Sequence, residues 1–544
     1  APQSINSTPT MHIMRFLQRF VGLALIIVSY LTISMHFSMN VHQDHIPTKY
    51  SEFLKDHPKY GYNGTIYKLR REQFPYLPKN ETYLDYTGAG MYQSQQIKNA
   101  VHNLESQLKC NTHSTSSCSE NTENAIEEVR DLIQKFFNVP LGTYSVVFTQ
   151  STTAALHLLG DAFPWSSASK FLYSKINHNS VLGIRQIAQS HKASYETLEW
   201  DLFNRQITNQ KELEAKKLVK QNMLVDESQF THNLMAFPAE DNFSGLKMPL
   251  ELVNAFEQND EGLKHNQGRW HVLLDAAAFL PTNPLDLSKN PASFVVMSFY
   301  KLFGWPTGIG ALLIRNDLGM MLEKRYFAGG SVVTAGVDAD FVQLKPKYNE
   351  KFEDGTLDFH SIDALRWGFD SLNKLGMENI QGHVWAVTRR FYERLAAMKH
   401  SHGGEIAKIY GQHAKNDIKK QGGIVTFNLV DAEGKYIRFS LIQQKTTDAG
   451  FMIRAGCSCN PGSCNNFLGL NEVVVKKVNE ARKDCSDEKD NINGHPIGAV
   501  RVSFGYPTTL EEVDALADYL EKEFKDYIGQ PYTKKVGGTM GLFQ

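Results

Sequence analysis

The stretch FVVMSFYKLFGWPTGIGALLIR, residues 294–315, holds two apolar runs, Phe294–Phe299 and Gly310–Arg315, joined by a short connection that carries Lys301 and ends in a Gly-rich turn. Runs of this length with no polar alternation belong to strands covered on both faces, as in the parallel sheet of an α/β protein. Two more such runs precede it: SVVFT at Ser145–Thr149 and HVLLDA at His271–Ala276. Longer amphipathic segments separate the runs, and the whole reads as an α/β chain. Beyond it the pattern changes. Helix-like stretches at 361–375 and 382–399 lead to a strand-like GGIVTFNLV at 422–430, then to the strand AVRVSF at 499–504 and a helix opening with Thr508 as N-cap and Glu511 closing a capping box. A smaller α+β unit is therefore expected after the sheet. Boundaries are set at 1–45 for a leader, 46–365 for the large α/β domain and 366–544 for the small domain. The stretch 460–496, rich in Asn, Lys, Asp and Glu after Val478, reads as an inserted exposed loop.

The chain has 544 residues, 42% hydrophobic and 21% charged, enough for a large core divided among several units. Its formal net charge of -1 provides no field to attract a polyanion, and no basic stripe is interleaved with aromatics, so no nucleic-acid partner is expected. Six cysteines are too few for a disulfide framework in a chain of this size. Three of them, Cys457, Cys459 and Cys464, crowd together and point to thiol chemistry. The competing reading is a structural metal, but the C-x-C-x4-C spacing lacks paired C-x2-C units and a fourth ligand. Near the N-terminus FVGLALIIVSYLTISM, residues 20–35, follows Arg15 and Arg19. It is short against the ~20 apolar residues of a membrane span, and it suits a signal anchor, a secretory leader or a helix packed on the body. Location is left between membrane-anchored and cytoplasmic. Asn63 and Asn80 each begin a glycosylation-type triplet.

A pyridoxal-phosphate site needs a lysine for the Schiff base, an acid at the pyridine nitrogen, a phosphate cradle at a helix N-terminus and a flat group on the ring. Lys301 follows an apolar strand, which places it at the carboxyl edge where open α/β sheets bind ligands. A lone lysine is ordinarily a solvated surface group. Asp275 closes the strand HVLLD and precedes three alanines; by itself it reads as a helix N-cap. The segment TQSTTAAL, 149–156, opens a helix with hydroxyls and free N–H groups suited to a phosphate, or merely to capping. His178, in INHNSVLG, follows the short strand FLYSKI and could stack on the ring and move protons, though a single histidine is more often structural.

Together with NFSG at 242–245, RAGCSCNPGSC at 454–464 and VRVSFGY at 500–506, these segments in this order resemble the class V aminotransferase superfamily. Within it, C-x-C-N-P-G-x-C is similar to molybdenum cofactor sulfurases rather than to ordinary cysteine desulfurases. The resemblance runs from about Tyr83 to the C-terminus. It implies a PLP-dependent transferase of fold type I, with a mainly parallel seven-stranded sheet and a small α+β domain. It also implies pyridoxal 5′-phosphate as cofactor, with Lys301 as the Schiff-base lysine, Asp275 at the pyridine nitrogen, His178 on the ring and Asn242 beside the ring oxygen. Thr152, Thr153 and Ser298 would hold the phosphate. Arg454 and Arg501 would grip the carboxylate of L-cysteine, and Cys459, on a loop expected to be mobile and exposed, would take up its sulfur as a persulfide. A homodimer is implied, with AGGSVV at 328–333 completing the partner's phosphate site.

Two residues depart from the desulfurase pattern: Ala278 stands for a Gln that touches the ring oxygen, and Tyr300 for a His before the lysine. Sulfurases of animals and plants continue into a domain that receives the molybdopterin, whereas this chain ends at Gln544. The acceptor, the molybdenum cofactor or a separate protein, is thus expected in another chain, unless the sequence is a piece of a longer one. The rival readings are a class V desulfurase or lyase with a different acceptor and an inactive membrane-tethered scaffold.

Overall fold

Strands with no polar face need cover on both sides, and the chain provides it. The computed structural model describes residues 46–199, 230–257, 268–481, 490–492 and 494–529. The apolar run 20–35 lies outside these residues, together with what was expected of it. Among the described residues no helix is long and apolar enough to cross a membrane.

Seven strands form the central sheet: β1 Tyr144–Thr149, β2 Lys170–Ser174, β3 Ser194–Leu198, β4 His232–Pro238, β5 Arg269–Asp275, β6 Phe294–Ser298 and β7 Gly310–Arg315, in the spatial order β1-β7-β6-β5-β4-β2-β3. Every residue of β4 and β6 is buried. The pairs among β2, β3, β4, β5 and β6 are parallel. The sheet is mainly parallel, as expected, with β7 running antiparallel to both of its neighbours. The cause is the connection through Lys301, which holds only the short helix Phe299–Phe303 and a turn and makes no crossover. β1 keeps the sense of β6, so the carboxyl ends of β1, β2, β4, β5 and β6 share one edge. Side chains alternate between two cores: Val146 and Phe148 face one, Val147 the other.

The first of these cores runs on without a break into the small unit, joining Val295 and Met297 to Phe427, Val500 and Leu516. There an antiparallel sheet, β8 Ala407–Tyr410, β9 Ile424–Leu429, β10 Arg454–Gly456 and β11 Ala499–Ser503, has the order β8-β9-β11-β10. The 365/366 boundary falls inside the helix Phe359–Leu375, which packs on helices of both units.

Two local expectations are corrected. The C-terminal helix Leu510–Phe524 is capped by Thr509 with Glu512 completing the box, one position later than read, because the Thr508 hydroxyl accepts from Gly505 N and closes the preceding turn. The stretch 460–496 is not simply a loop: it holds helices Pro461–Leu468 and Glu472–Ala481. Asn460 caps the first, Pro461 occupies its opening turn and Gly469 ends it in the left-handed region, signals that the polar composition masked. Cys110–Cys118 and Cys457–Cys464 are disulfides, so the cysteines do form bridges, though each is a local staple rather than part of a framework. Cys459 is the free cysteine among the described residues, and no cluster of metal-ligating side chains occurs among them.

Candidate active site

The shared carboxyl edge of the sheet delivers four functional side chains from four strands. β1 leads through Ser151, whose hydroxyl accepts from Ala154 N, into the helix Thr152–Ala162. β2 leads to His178, β5 ends on Asp275, and β6 ends on Ser298, three residues before Lys301. They converge on a cleft whose walls include Thr152, Thr153, His178, Asn242, Asp275, Ser298 and Lys301. Every cofactor-binding residue expected from the sequence lies on this one cleft.

Two of its hydroxyls carry the strongest sign of a missing ligand. Thr152 Oγ1 and Ser298 Oγ are buried and have no hydrogen-bond partner, a state that costs free energy unless a ligand fills it. Both sit at the N-terminus of the helix Thr152–Ala162 or beside it, where a phosphate dianion meets free N–H groups and the positive helix end. Thr153 Oγ1 is 2.9 Å from Ser180 Oγ. The donor set suits a phosphate monoester, and Asp275 and Lys301 on the same cleft suit the rest of pyridoxal phosphate. One Asp275 oxygen accepts from Ala277 N at 3.0 Å and closes a turn; no helix begins there, so the helix N-cap weighed from the sequence is not formed.

Burial sets the protonation of the reactive groups. The crowded interior lowers the pKa of Lys301 below the ordinary lysine value, against the attraction of Asp275. Burial also lowers that of His178, again opposed by Asp275, which favours neutral imidazole at neutral pH. His178 Nδ1 accepts from Ser180 N at 3.1 Å, so the neutral ring carries its proton on Nε2.

Arg454 and Arg501, the arginines expected to grip a carboxylate, are cross-strand partners on β10 and β11. Arg501 is buried, donating from Nη2 to Asp85 Oδ1 at 2.6 Å and from Nη1 to the carbonyl of Asn242 at 2.8 Å; its Nε is without a partner. Arg454 is half exposed, 3.8 Å from Asp85 Oδ2. Asp85 thus ties both guanidinium groups, and the sequence reading passed over it. It lies in YLDYTGAG at 83–90, a segment without a strand-end signal of its own.

Cys459 is exposed, and it and Ser458 adopt left-handed backbone, φ 55° and 52°. The loop is not free to wander, as the sequence reading supposed. Cys459 O accepts from Asn179 N at 2.8 Å, next to His178, and Ser458 O accepts from Asn242 Nδ2 at 2.7 Å. Asn242, on the cleft wall, is thereby committed to the loop. Glu240 was also missed: it is buried on the same wall, where desolvation raises its carboxyl to about 8 against the pull of Lys247. The AGGSVV turn leads into a hairpin, Val332–Ala335 with Val342–Leu344, flanked by exposed Tyr326, Phe327, Val337 and Phe341.

A mixed sheet with this cleft at its carboxyl edge is the arrangement of a fold type I enzyme, and residues 82–516 match the Aminotransferase class-V family; the chain belongs to that family. Among curated proteins it is similar to the molybdenum cofactor sulfurase of Solanum lycopersicum, 38% identical over 88% of this chain and 60% of that protein. The Bos taurus molybdenum cofactor sulfurase is 35% identical over 89% of this chain and 54% of its own. The chain therefore spans less than two thirds of either relative. Among solved structures, the apo cysteine desulfurase from Thermococcus onnurineus NA1 shares the fold with a TM-score of 0.64 at 21% identity, over 84% of this chain and 97% of that one. The Escherichia coli cysteine desulfurase CsdA does so with a TM-score of 0.62 at 17% identity, over 84% and 98%.

Proposed function

We propose that the chain binds pyridoxal 5′-phosphate and takes sulfur from L-cysteine as a persulfide on Cys459, releasing alanine. The sulfur then passes to the molybdenum cofactor. The observation that carries this reading is the seat of Cys459, with its backbone hydrogen-bonded to Asn179 beside His178 at a cleft walled by Lys301, Asp275, Thr152 and Ser298. Similarity to curated molybdenum cofactor sulfurases supports the acceptor.

When bound, the cofactor supplies an electron sink conjugated to the substrate's α-carbon. Lys301, its pKa lowered by burial, would attach the cofactor through its amine. Asp275 would hold the ring nitrogen, and the unpartnered hydroxyls of Thr152 and Ser298 would hold the phosphate. Arg501, with Arg454 beside it, receives the substrate carboxylate. His178 presents Nε2 for proton movement. Cys459 as thiolate attacks the substrate sulfur: the Sγ–S bond forms, the substrate Cβ–S bond breaks, and the carbon keeps that electron pair and takes a proton to become the methyl of alanine.

The test is a visible spectrum of the purified chain with and without L-cysteine, an alanine assay, and mass spectrometry of the 454–464 peptide. A cofactor band lost in Lys301→Ala, alanine release, and one added sulfur on Cys459 are expected. Cofactor bound with no sulfur on Cys459 would direct the reading to another class V lyase; no cofactor bound would remove the enzyme reading altogether.

A further inference from the structure

The segment after β4 carries a carboxylate that the proposed chemistry does not use. Asp241 is fully buried, and its two oxygens collect five donors. Three are local: Phe243 N and Ser244 N, each at 3.0 Å, and the Ser244 hydroxyl. The other two come from the far side of the chain, Asn460 Nδ2 at 2.7 Å and the hydroxyl of Ser463, and these flank the loop that presents Cys459. Asn460 and Ser463 are themselves fully buried, and Asn460 also reaches the carbonyl of Ile176 at 2.8 Å and Asn242 Oδ1 at 2.9 Å. At Gly462 the loop lies so close to the large unit that an added Cβ would stand 1.8 Å from the carbonyl of Lys175. The disulfide Cys457–Cys464 closes the segment into a ring. The base of the loop is buried and bonded, while Cys459 at its tip is exposed.

We propose that Asp241 is a positioning residue that docks the Cys459 loop against the cleft, so that the thiol works from a fixed seat and not from a swinging arm. Asp241 touches neither substrate nor cofactor; it acts through Asn460 and Ser463. A carboxyl group suits this place because its two oxygens accept from both partners at once, Oδ1 from Asn460 and Oδ2 from Ser463. The inference rests on the persulfide reading for its purpose, but not for its geometry. It also implies that an acceptor must come to the cleft mouth to collect sulfur, since the seat keeps Cys459 there.

The experiment uses the cofactor-loaded chain and Asp241→Asn, which keeps the shape but turns one acceptor oxygen into a donor facing Asn460 or Ser463. Amide hydrogen exchange across 457–468 is expected to quicken about tenfold or more. Alkylation of Cys459 by iodoacetamide, without cysteine present, is expected to change with it. The rate of alanine formation is expected to fall about 10- to 100-fold with KM for cysteine and the cofactor spectrum unchanged. Ser463→Ala removes one of the two crossing donors and is expected to move exchange and rate the same way to a smaller extent, which serves if Asp241→Asn fails to fold. Wild-type exchange in both variants overturns the proposal, as does a variant that loses cofactor or melts earlier while the loop exchanges as before. Exchange and alkylation do not depend on turnover. A wild-type chain that makes no alanine therefore sinks the desulfurase reading and leaves the docking result standing on its own.

Discussion

Ser298→Ala should act with opposite sign on the free and cofactor-bound protein. Ser298 is 4% exposed, ends β6 and makes no capping bond to the short helix that follows, and its hydroxyl oxygen is buried without a partner. An unsatisfied buried polar group costs ~1–3 kcal/mol, so replacing it by a methyl-sized group is expected to stabilise the cofactor-free chain by about 1 kcal/mol. If the hydroxyl donates to a phosphate dianion in the loaded enzyme, its loss removes a hydrogen bond to a charged group, ~1.5–3 kcal/mol, or about 10- to 150-fold in affinity. The assay pairs urea denaturation of the cofactor-free protein with a spectroscopic titration of pyridoxal phosphate. A variant that is less stable when free yet binds the cofactor as tightly as wild type would refute the reasoning, because the hydroxyl would then serve the fold and not the ligand.

Lys301→Met should stabilise the cofactor-free protein at neutral pH. The folded pKa of Lys301 is depressed below 10.5, so the stability it contributes is complete above 10.5 and lost as pH falls through the folded value; the advantage of methionine should shrink toward pH 10.5, and pH-independent melting differences would contradict this. Glu353→Ala should cost ~3–5 kcal/mol in denaturant unfolding, since Glu353 meets the buried guanidinium of Arg130 with both oxygens at 2.9 Å and accepts from Phe148 N at 2.7 Å, and its loss leaves Arg130 only the half-exposed Glu127 at 3.0 Å and the carbonyl of Val146. A loss below about 1 kcal/mol would mean that Arg130 finds other partners. Phe341→Asp, on the exposed apolar hairpin beside AGGSVV, should turn a homodimer into a folded monomer with weakened cofactor binding, read by sedimentation; a wild-type monomer would remove that surface from the scheme.

The sequence by itself determined the parts whose signal is local. Apolar runs of five or six residues required a doubly covered sheet, and a reactive residue at the end of a run required the carboxyl edge; that is why Lys301, Asp275, His178 and Thr152 were legible together and line one cleft. The antiparallel course of β7 followed from the length of one connection. Tertiary structure alone decided the pairings between distant segments: Asp85 with Arg501, 416 positions apart, and Asp241 with Asn460 and Ser463, 219 and 222 apart. It also turned an expected mobile loop into a docked one. Neither acid is marked by a motif, because an isolated aspartate reads as a cap or a turn until the fold buries it. Only the closed chain, with water excluded, makes a bare carboxylate there costly enough that a guanidinium or a set of hydroxyl and amide donors must meet it.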